Sequence, residues 1–188
     1  MGQFVMEGYR RKSLRRPDHD YTRANIYFIT IDIRDRMRLF GYLDPDGLNI
    51  NDAGLMVIQE WAALGRRFKQ AKPGVLVVMP DHIHGIMVVD PHAGDGQRQA
   101  LRPTLNGEDG ARSIGLPRVM QAFKSLTTRR YCVGVRENGW PEFNAKLWQR
   151  NYHEHIVRSQ HELDAIVKYI NDNPRRLWQS KYASHDLE

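Results

Sequence analysis

Val75–Val89 reads VLVVMPDHIHGIMVV: two apolar runs meet at a Pro-Asp break, and the second run carries two histidines one residue apart. Side chains of a strand alternate between faces, so His82 and His84 share one face while Ile83, Met87 and Val89 take the other. The sequence leaves open whether the stretch is two strands or one broken strand. Either way it offers two imidazoles on a rigid element whose opposite face is anchored in a core. Two neutral imidazoles supply half of a divalent-metal site, and the plain alternative is a half-buried strand end with solvent-facing histidines.

Outward from this stretch, Asn25–Ile33 (NIYFITIDI) predicts the first strand, with Ile29, Ile31 and Ile33 on one face. Residues 34–50 read as a loop, with turn chemistry at Asp44-Pro45-Asp46-Gly47. Asn51–Gln70 predicts a helix capped by Asn51 or Asp52, with Leu55, Ile58, Ala62 and Phe68 at helical spacing. Pro73-Gly74 closes the next connection. Residues 90–113 are glycine-rich, of mixed charge and aperiodic, and read as a mobile surface loop. Helical spacing returns over Ile114–Val133, followed by turn-rich residues 134–146 and a strand over Leu147–Arg158. A helix from Gln160 carries Leu163, Ile166, Val167 and Ile170, and Pro174 is expected to end it near Asn173.

The order β-α-β(β)-loop-α-β-α predicts an α+β fold, a ferredoxin-like sandwich with a central antiparallel sheet and helices on one face. The expected organisation is a basic arm at 1–24, one domain over 25–177 and a tail at 178–188. The chain has 188 residues, 41% of them hydrophobic, enough for a real core. No apolar run suits a membrane span, and no apolar segment follows the basic start as a secretory signal requires. A single cysteine, Cys132, excludes an internal disulfide and fits a reducing cytoplasm. The net charge of +6 comes with basic clusters at Arg10, Arg11, Arg15 and Arg16, at Arg129-Arg130 and at Arg175-Arg176. Such clusters are the electrostatic footprint of phosphate backbones, although a solvated basic surface has the same composition.

On the last helix Tyr169 and Asn173 stand four residues apart and project from one face. Tyr169 borders the apolar stripe, where a ring can be buried and its hydroxyl presented. Asn173 offers an amide oxygen suited to a hard cation, although an Asn before Pro is also ordinary helix-stop chemistry.

Four pieces then occur in order: P-D-H-I-H-G-I, F-K-S-L-T-T-R-R-Y, W-Q-R-N-Y-H-E-H-I-V-R and Y-I-N-D-N-P. Together, over roughly residues 10–177, they resemble the REP-associated tyrosine transposases, relatives of the single-tyrosine insertion-sequence transposases of the HUH superfamily. The resemblance implies a ferredoxin-like fold with the His-hydrophobe-His motif on a sheet strand. Carried over by position, His82 and His84 match the metal pair, Asn173 the third ligand and Tyr169 the nucleophile. His155 matches a recurrent Glu-His and is expected to support the site from behind. Asp81 departs from the Asn or Glu of many relatives. The implied reaction is cleavage and rejoining of single-stranded DNA near hairpins through a 5′-phosphotyrosine, with Mg²⁺ or Mn²⁺ as cofactor. The expected DNA contacts are Arg10, Arg11, Arg15, Arg16, Lys124, Arg129, Arg130, Arg175 and Arg176, with Tyr131 or Trp148 stacking on bases. Relatives leave a homodimer open. The competing readings are a hairpin-binding protein without catalysis and, at residue level, a second site at Tyr152, His153 and His155.

Overall fold

The structure, a computed structural model, describes residues 24–90, 93 and 115–182. Its strands are β1 (Asn25–Asp32), β2 (Gly41–Asp44), β3 (Gly47–Ile50), β4 (Ala71–Val78), β5 (His82–Val89) and β6 (His153–Val157). Its helices are α1 (Asp52–Arg67), α2 (Leu116–Asn138) and α3 (Gln160–Tyr182). Four strands form one antiparallel sheet in the order β4-β5-β1-β6, and β2-β3 is a separate hairpin. With that hairpin set aside, the order βαββαβ and this strand arrangement make the expected ferredoxin-like sandwich. The arm carrying Arg10, Arg11, Arg15 and Arg16 lies outside the described residues, as does nearly all of the 90–113 loop.

The core forms on one face of the sheet. Tyr27, Ile29, Ile31 and Ile33 of the first strand region and Ile83, Met87 and Val89 of β5 are at most 1% exposed. They pack with Met56, Val57, Trp61 and Leu64 of α1 and with Val119 and Phe123 of α2. Gly85 marks the tightest approach, because a Cβ there would sit 2.7 Å from the Trp61 ring. That indole is fixed at its other end by donating its N–H to the Gly74 carbonyl. The third helix is added across the opposite face, where Tyr169 meets Phe28 of β1.

Several expectations are corrected. Residues 34–50 are not a plain loop: the turn at 44–47 closes the β2-β3 hairpin, with Asp44 accepting from the Asp46 and Gly47 N–H groups. Helix α1 is capped by Asn51, whose side chain accepts from the Gly54 N–H at 3.0 Å. Its buried face, however, is Ala53, Met56, Val57, Trp61 and Leu64, while Leu55 and Ile58 point outward. Two apolar sets both satisfied helical spacing, and packing against the sheet chose the one bearing the tryptophan. Pro73-Gly74 lies inside β4, at an irregularity between Pro73 and Leu76. This is an edge strand, where a missing N–H is tolerated.

Helix α2 runs on to Asn138 and stops at Gly139, whose φ of +67° is the left-handed conformation glycine adopts without strain. The 147–158 stretch forms a strand only over His153–Val157, after an isolated bridge between Ile33 and Trp148. Helix α3 continues through Pro174 to Tyr182. A proline inside a helix forfeits one hydrogen bond and crowds the preceding turn, so propensity there gave way to the context of the helix around it.

Candidate active site on the second face of the sheet

Across antiparallel neighbours, residues directly opposite one another share a face. The register pairs Asp32 with His82, Thr30 with His84 and His153, and Phe28 with Ile86 and His155. The residues between those of the core face on β1 therefore make the floor under both histidines. Phe28 stacks on His84, centroids 5.5 Å apart and planes at 24°. His82 and His84 are 4.7 Å apart, ring centre to ring centre.

Each imidazole is held by its Nδ1. That of His84 is 2.8 Å from the Thr30 hydroxyl, and that of His82 is 2.6 Å from the Asp81 carboxylate. In the neutral tautomer that donates from Nδ1, each Nε2 carries a lone pair for a metal. Metal-ligating histidines are usually oriented in this way, by a hydrogen bond at the other ring nitrogen. Burial lowers the pKa of His84 to about 4, with the charges of His82 and Arg36 acting in the same direction. The imidazole is thus neutral at pH 7, the form that binds a metal.

Tyr169 comes to this pair from α3. Its ring lies 5.5 Å from that of His84 and edge-on to Phe28 at 6.0 Å, and the residue keeps 36% of its surface exposed. Its ring thus touches two aromatic rings while the residue stays exposed to solvent. One turn later Asn173 is buried, at 7% exposure. Another turn along, the Arg176 guanidinium sits 5.8 Å over the Tyr169 ring, with Asp172 at 3.9 Å. Among the described residues no group of three or more His, Cys, Asp or Glu side chains is placed to hold a metal. Asn173 carries an amide oxygen, the chemistry of a hard-cation donor, on the helix that brings Tyr169 to His84.

The other expected residues divide. His155 is on the same face of the sheet, but its ring is bonded to Glu162 at 2.6 Å. The second carboxylate oxygen of Glu162 accepts the Arg158 N–H, and both contacts hold its pKa below the usual carboxylate range. His155 thus ties β6 to the start of α3, the helix that carries Tyr169. Lys124 acts as a clamp: its ammonium donates to the carbonyls of Gln149, Arg150 and Asn151 at 2.8, 3.3 and 2.9 Å. Burial lowers its pKa to about 8. Arg130 turns away from Arg129 to bond Glu60 at 2.9 Å and Gln59 at 3.2 Å. Arg175 is exposed.

Tyr131 and Trp148 are also corrected. They are 0% and 4% exposed and belong to the core, with their polar atoms bonded to the Pro141 carbonyl and the Thr127 hydroxyl. Neither is available to stack on a base. Tyr152 packs against the same core, with the Lys124 ammonium 5.4 Å from its ring centre.

Four residues of the site escaped the sequence: Phe28, Thr30, Asp32 and Arg36. Arg36 donates to Asp32 at 2.7 Å and lies 3.8 Å from Asp81, the carboxylate that holds His82. It is presented by a turn in which Asp35 and Arg36 both have positive φ, 58° and 54°. Two consecutive non-glycine residues in that region store strain, which persists only where surrounding contacts hold it. Strand alternation alone puts Phe28, Thr30 and Asp32 on one face, but only the pairing with β5 sets them beside the histidines.

No family model matches the chain. An uncharacterized protein of Haemophilus influenzae is 31% identical over 176 residues, covering 91% of each sequence. A second protein of that organism, assigned by name to the REP-associated tyrosine transposases, is 27% identical over 172 residues, covering 90% of this chain and 76% of its own. A solved structure of a REP-associated tyrosine transposase bound to a REP hairpin superposes with a TM-score of 0.52 at 18% identity, covering 88% of this chain and 74% of that one. Over most of its length the chain is similar to the REP-associated tyrosine transposases. With the first Haemophilus protein it forms one family, and with the hairpin-bound transposase it shares the fold.

Proposed function

We propose that the protein is a metal-dependent single-tyrosine transposase that cuts and rejoins single-stranded DNA at hairpins. The observation that carries this reading is the meeting of Tyr169 with a histidine pair whose Nδ1 atoms are both held by hydrogen bonds. The solved relative bound to a REP hairpin supports a hairpin as the substrate class.

In the proposed step the Tyr169 oxygen attacks a backbone phosphorus. The tyrosyl O–P bond forms, the P–O3′ bond breaks, and the phenolic proton passes, directly or through solvent, to the departing 3′ oxygen. The products are a 5′-phosphotyrosine and a free 3′-OH. The tyrosyl ester keeps the energy of the phosphodiester, so a different 3′-OH can reverse the step and join a new end. His82, His84 and Asn173 would hold Mg²⁺ or Mn²⁺, which when bound polarises the scissile phosphate. Phe28 supports the rings of His84 and Tyr169 and fixes their relative position. Arg176, above the tyrosine ring, supplies positive charge where an incoming phosphate would lie. Arg36 holds Asp81, and through it the orientation of His82.

The test uses a 5′-labelled hairpin oligonucleotide drawn from repeats flanking the gene, incubated with Mn²⁺ or Mg²⁺ and run on denaturing gels. The expected outcome is cleavage with a covalent protein–DNA adduct that disappears in Tyr169→Phe. Tight binding with neither cleavage nor adduct would replace this reading with a non-catalytic hairpin-binding protein.

A further inference from the structure

A cleft of about 470 Å³ opens between α2 and residues 145–150, lined by none of the residues of the histidine–tyrosine cluster. Its lining includes Lys124, Ser125, Thr128, Arg129, Lys146 and Arg150, and no acidic side chain. Lys124 is already satisfied by three carbonyls. Arg129, Lys146 and Arg150 are exposed, and none has an ion-pair partner among the described residues. Three uncompensated cations beside two hydroxyls on one concave surface have the chemistry of a phosphate-backbone site.

The cleft adjoins the catalytic end of the sheet. Its wall is joined to β1 by the Gln149 N–H bonding the Asp32 carbonyl at 2.9 Å and by the Arg34 N–H bonding the Leu147 carbonyl at 2.9 Å. Asp32 is the register partner of His82. Asp32 therefore links the histidine pair, through the register, to this wall, through its carbonyl. The Lys124 clamp fixes residues 149–151, and with them the position of Arg150, so the cleft is built before any ligand arrives. Its volume suits about one or two extended nucleotides, whereas a duplex would touch only the rim.

We propose that this cleft binds the unpaired strand flanking the hairpin, with Arg129, Lys146 and Arg150 each on a phosphate. The inference rests on the hairpin-DNA reading above and adds where the single strand runs.

The experiment compares wild type with the triple variant Arg129→Gln, Lys146→Gln, Arg150→Gln, all exposed positions whose change should leave the melting temperature in place. Binding by fluorescence anisotropy uses three probes: a blunt hairpin, the same hairpin with unpaired flanks, and a short oligodeoxythymidine. The triple variant is expected to lose about tenfold in affinity for the flanked hairpin and the oligodeoxythymidine, with the blunt hairpin changed less than about twofold. Its salt dependence on the oligodeoxythymidine should become shallower by about two, from the loss of three phosphate contacts. Unchanged affinity for the flanked probe, or an equal loss on all three, overturns the cleft while the adduct assay for cleavage still stands. A selective loss on the flanked probe in a wild type that forms no adduct keeps the cleft and sinks cleavage instead. Displacement of the oligodeoxythymidine by polyglutamate at equal concentration would also overturn the proposal, in favour of a site for acidic protein segments.

Discussion

The two faces of the central sheet use the same strands for different purposes. On β1 and the residue after it, Tyr27, Ile29, Ile31 and Ile33 are sealed in the core, while Phe28, Thr30 and Asp32 line the site. On β5, Ile83 and Met87 are fully buried and His82 and His84 face Tyr169 or each other. Every second residue stabilises and the residues between them are available for chemistry. Strand alternation makes this division possible, and it makes stability and activity separable by substitutions one residue apart. The separation is incomplete, because on the site face His84 is itself 7% exposed and Ile86 5%.

The sharpest break in the comparison is Tyr169→Phe. Adduct formation is expected to fall by at least about 10³-fold, while the melting temperature stays close to wild type because the ring and its contacts remain. A large drop in melting temperature would show that the second face also carries the fold. Ile31→Ala breaks the other side: a fully buried isoleucine truncated to alanine should cost about 2–5 kcal/mol in denaturant unfolding. Loss below about 1 kcal/mol would mean the core face is loosely packed.

Acid should expose the exception at His84. The unfolded imidazole takes a proton near 6.5, whereas the folded one waits until about 4. Between those values the unfolded chain binds more protons, so stability present above pH 6.5 is lost as the pH falls toward 4. The full effect is about 3 kcal/mol for the metal-free protein, measured by urea unfolding across the window. A His84→Gln variant with the same acid loss would assign it to other groups. The smallest expected effect is that of Thr30→Val, which keeps shape and removes the hydroxyl on His84 Nδ1. Mn²⁺ affinity by calorimetry should weaken by about tenfold with little change in stability. Equal affinity would show that the imidazole is held by packing on Phe28 alone.

The correct elements were those with a period. β1, β5 and the three helices follow from alternation or helical spacing, and the Pro-Asp break does separate β4 from β5. Choosing between candidate faces was harder. In α1 the sequence favours Leu55 and Ile58, yet Met56, Val57, Trp61 and Leu64 went inside, because a helix's spacing does not tell which side the sheet is on. The charged residues divided for a related reason. Lys124, Arg129 and Arg130 look alike in sequence, but the first clamps three carbonyls, the third bonds Glu60, and only Arg129 lines the cleft without a partner among the described residues.

By itself the sequence determined the ferredoxin-like order of elements, the shared face of His82 and His84, and the helical pairing of Tyr169 with Asn173. These are local facts, set by residue spacing along one strand or one turn of helix. Only the tertiary structure decided that Tyr169 stands over His84. It alone brought Thr30 and Asp81 to the two Nδ1 atoms and returned Arg36 to Asp81. Thr30 reaches His84 across 54 residues of chain. Contacts at that separation depend on strand register and on which face a helix covers, and neither is written in the neighbourhood of any one residue.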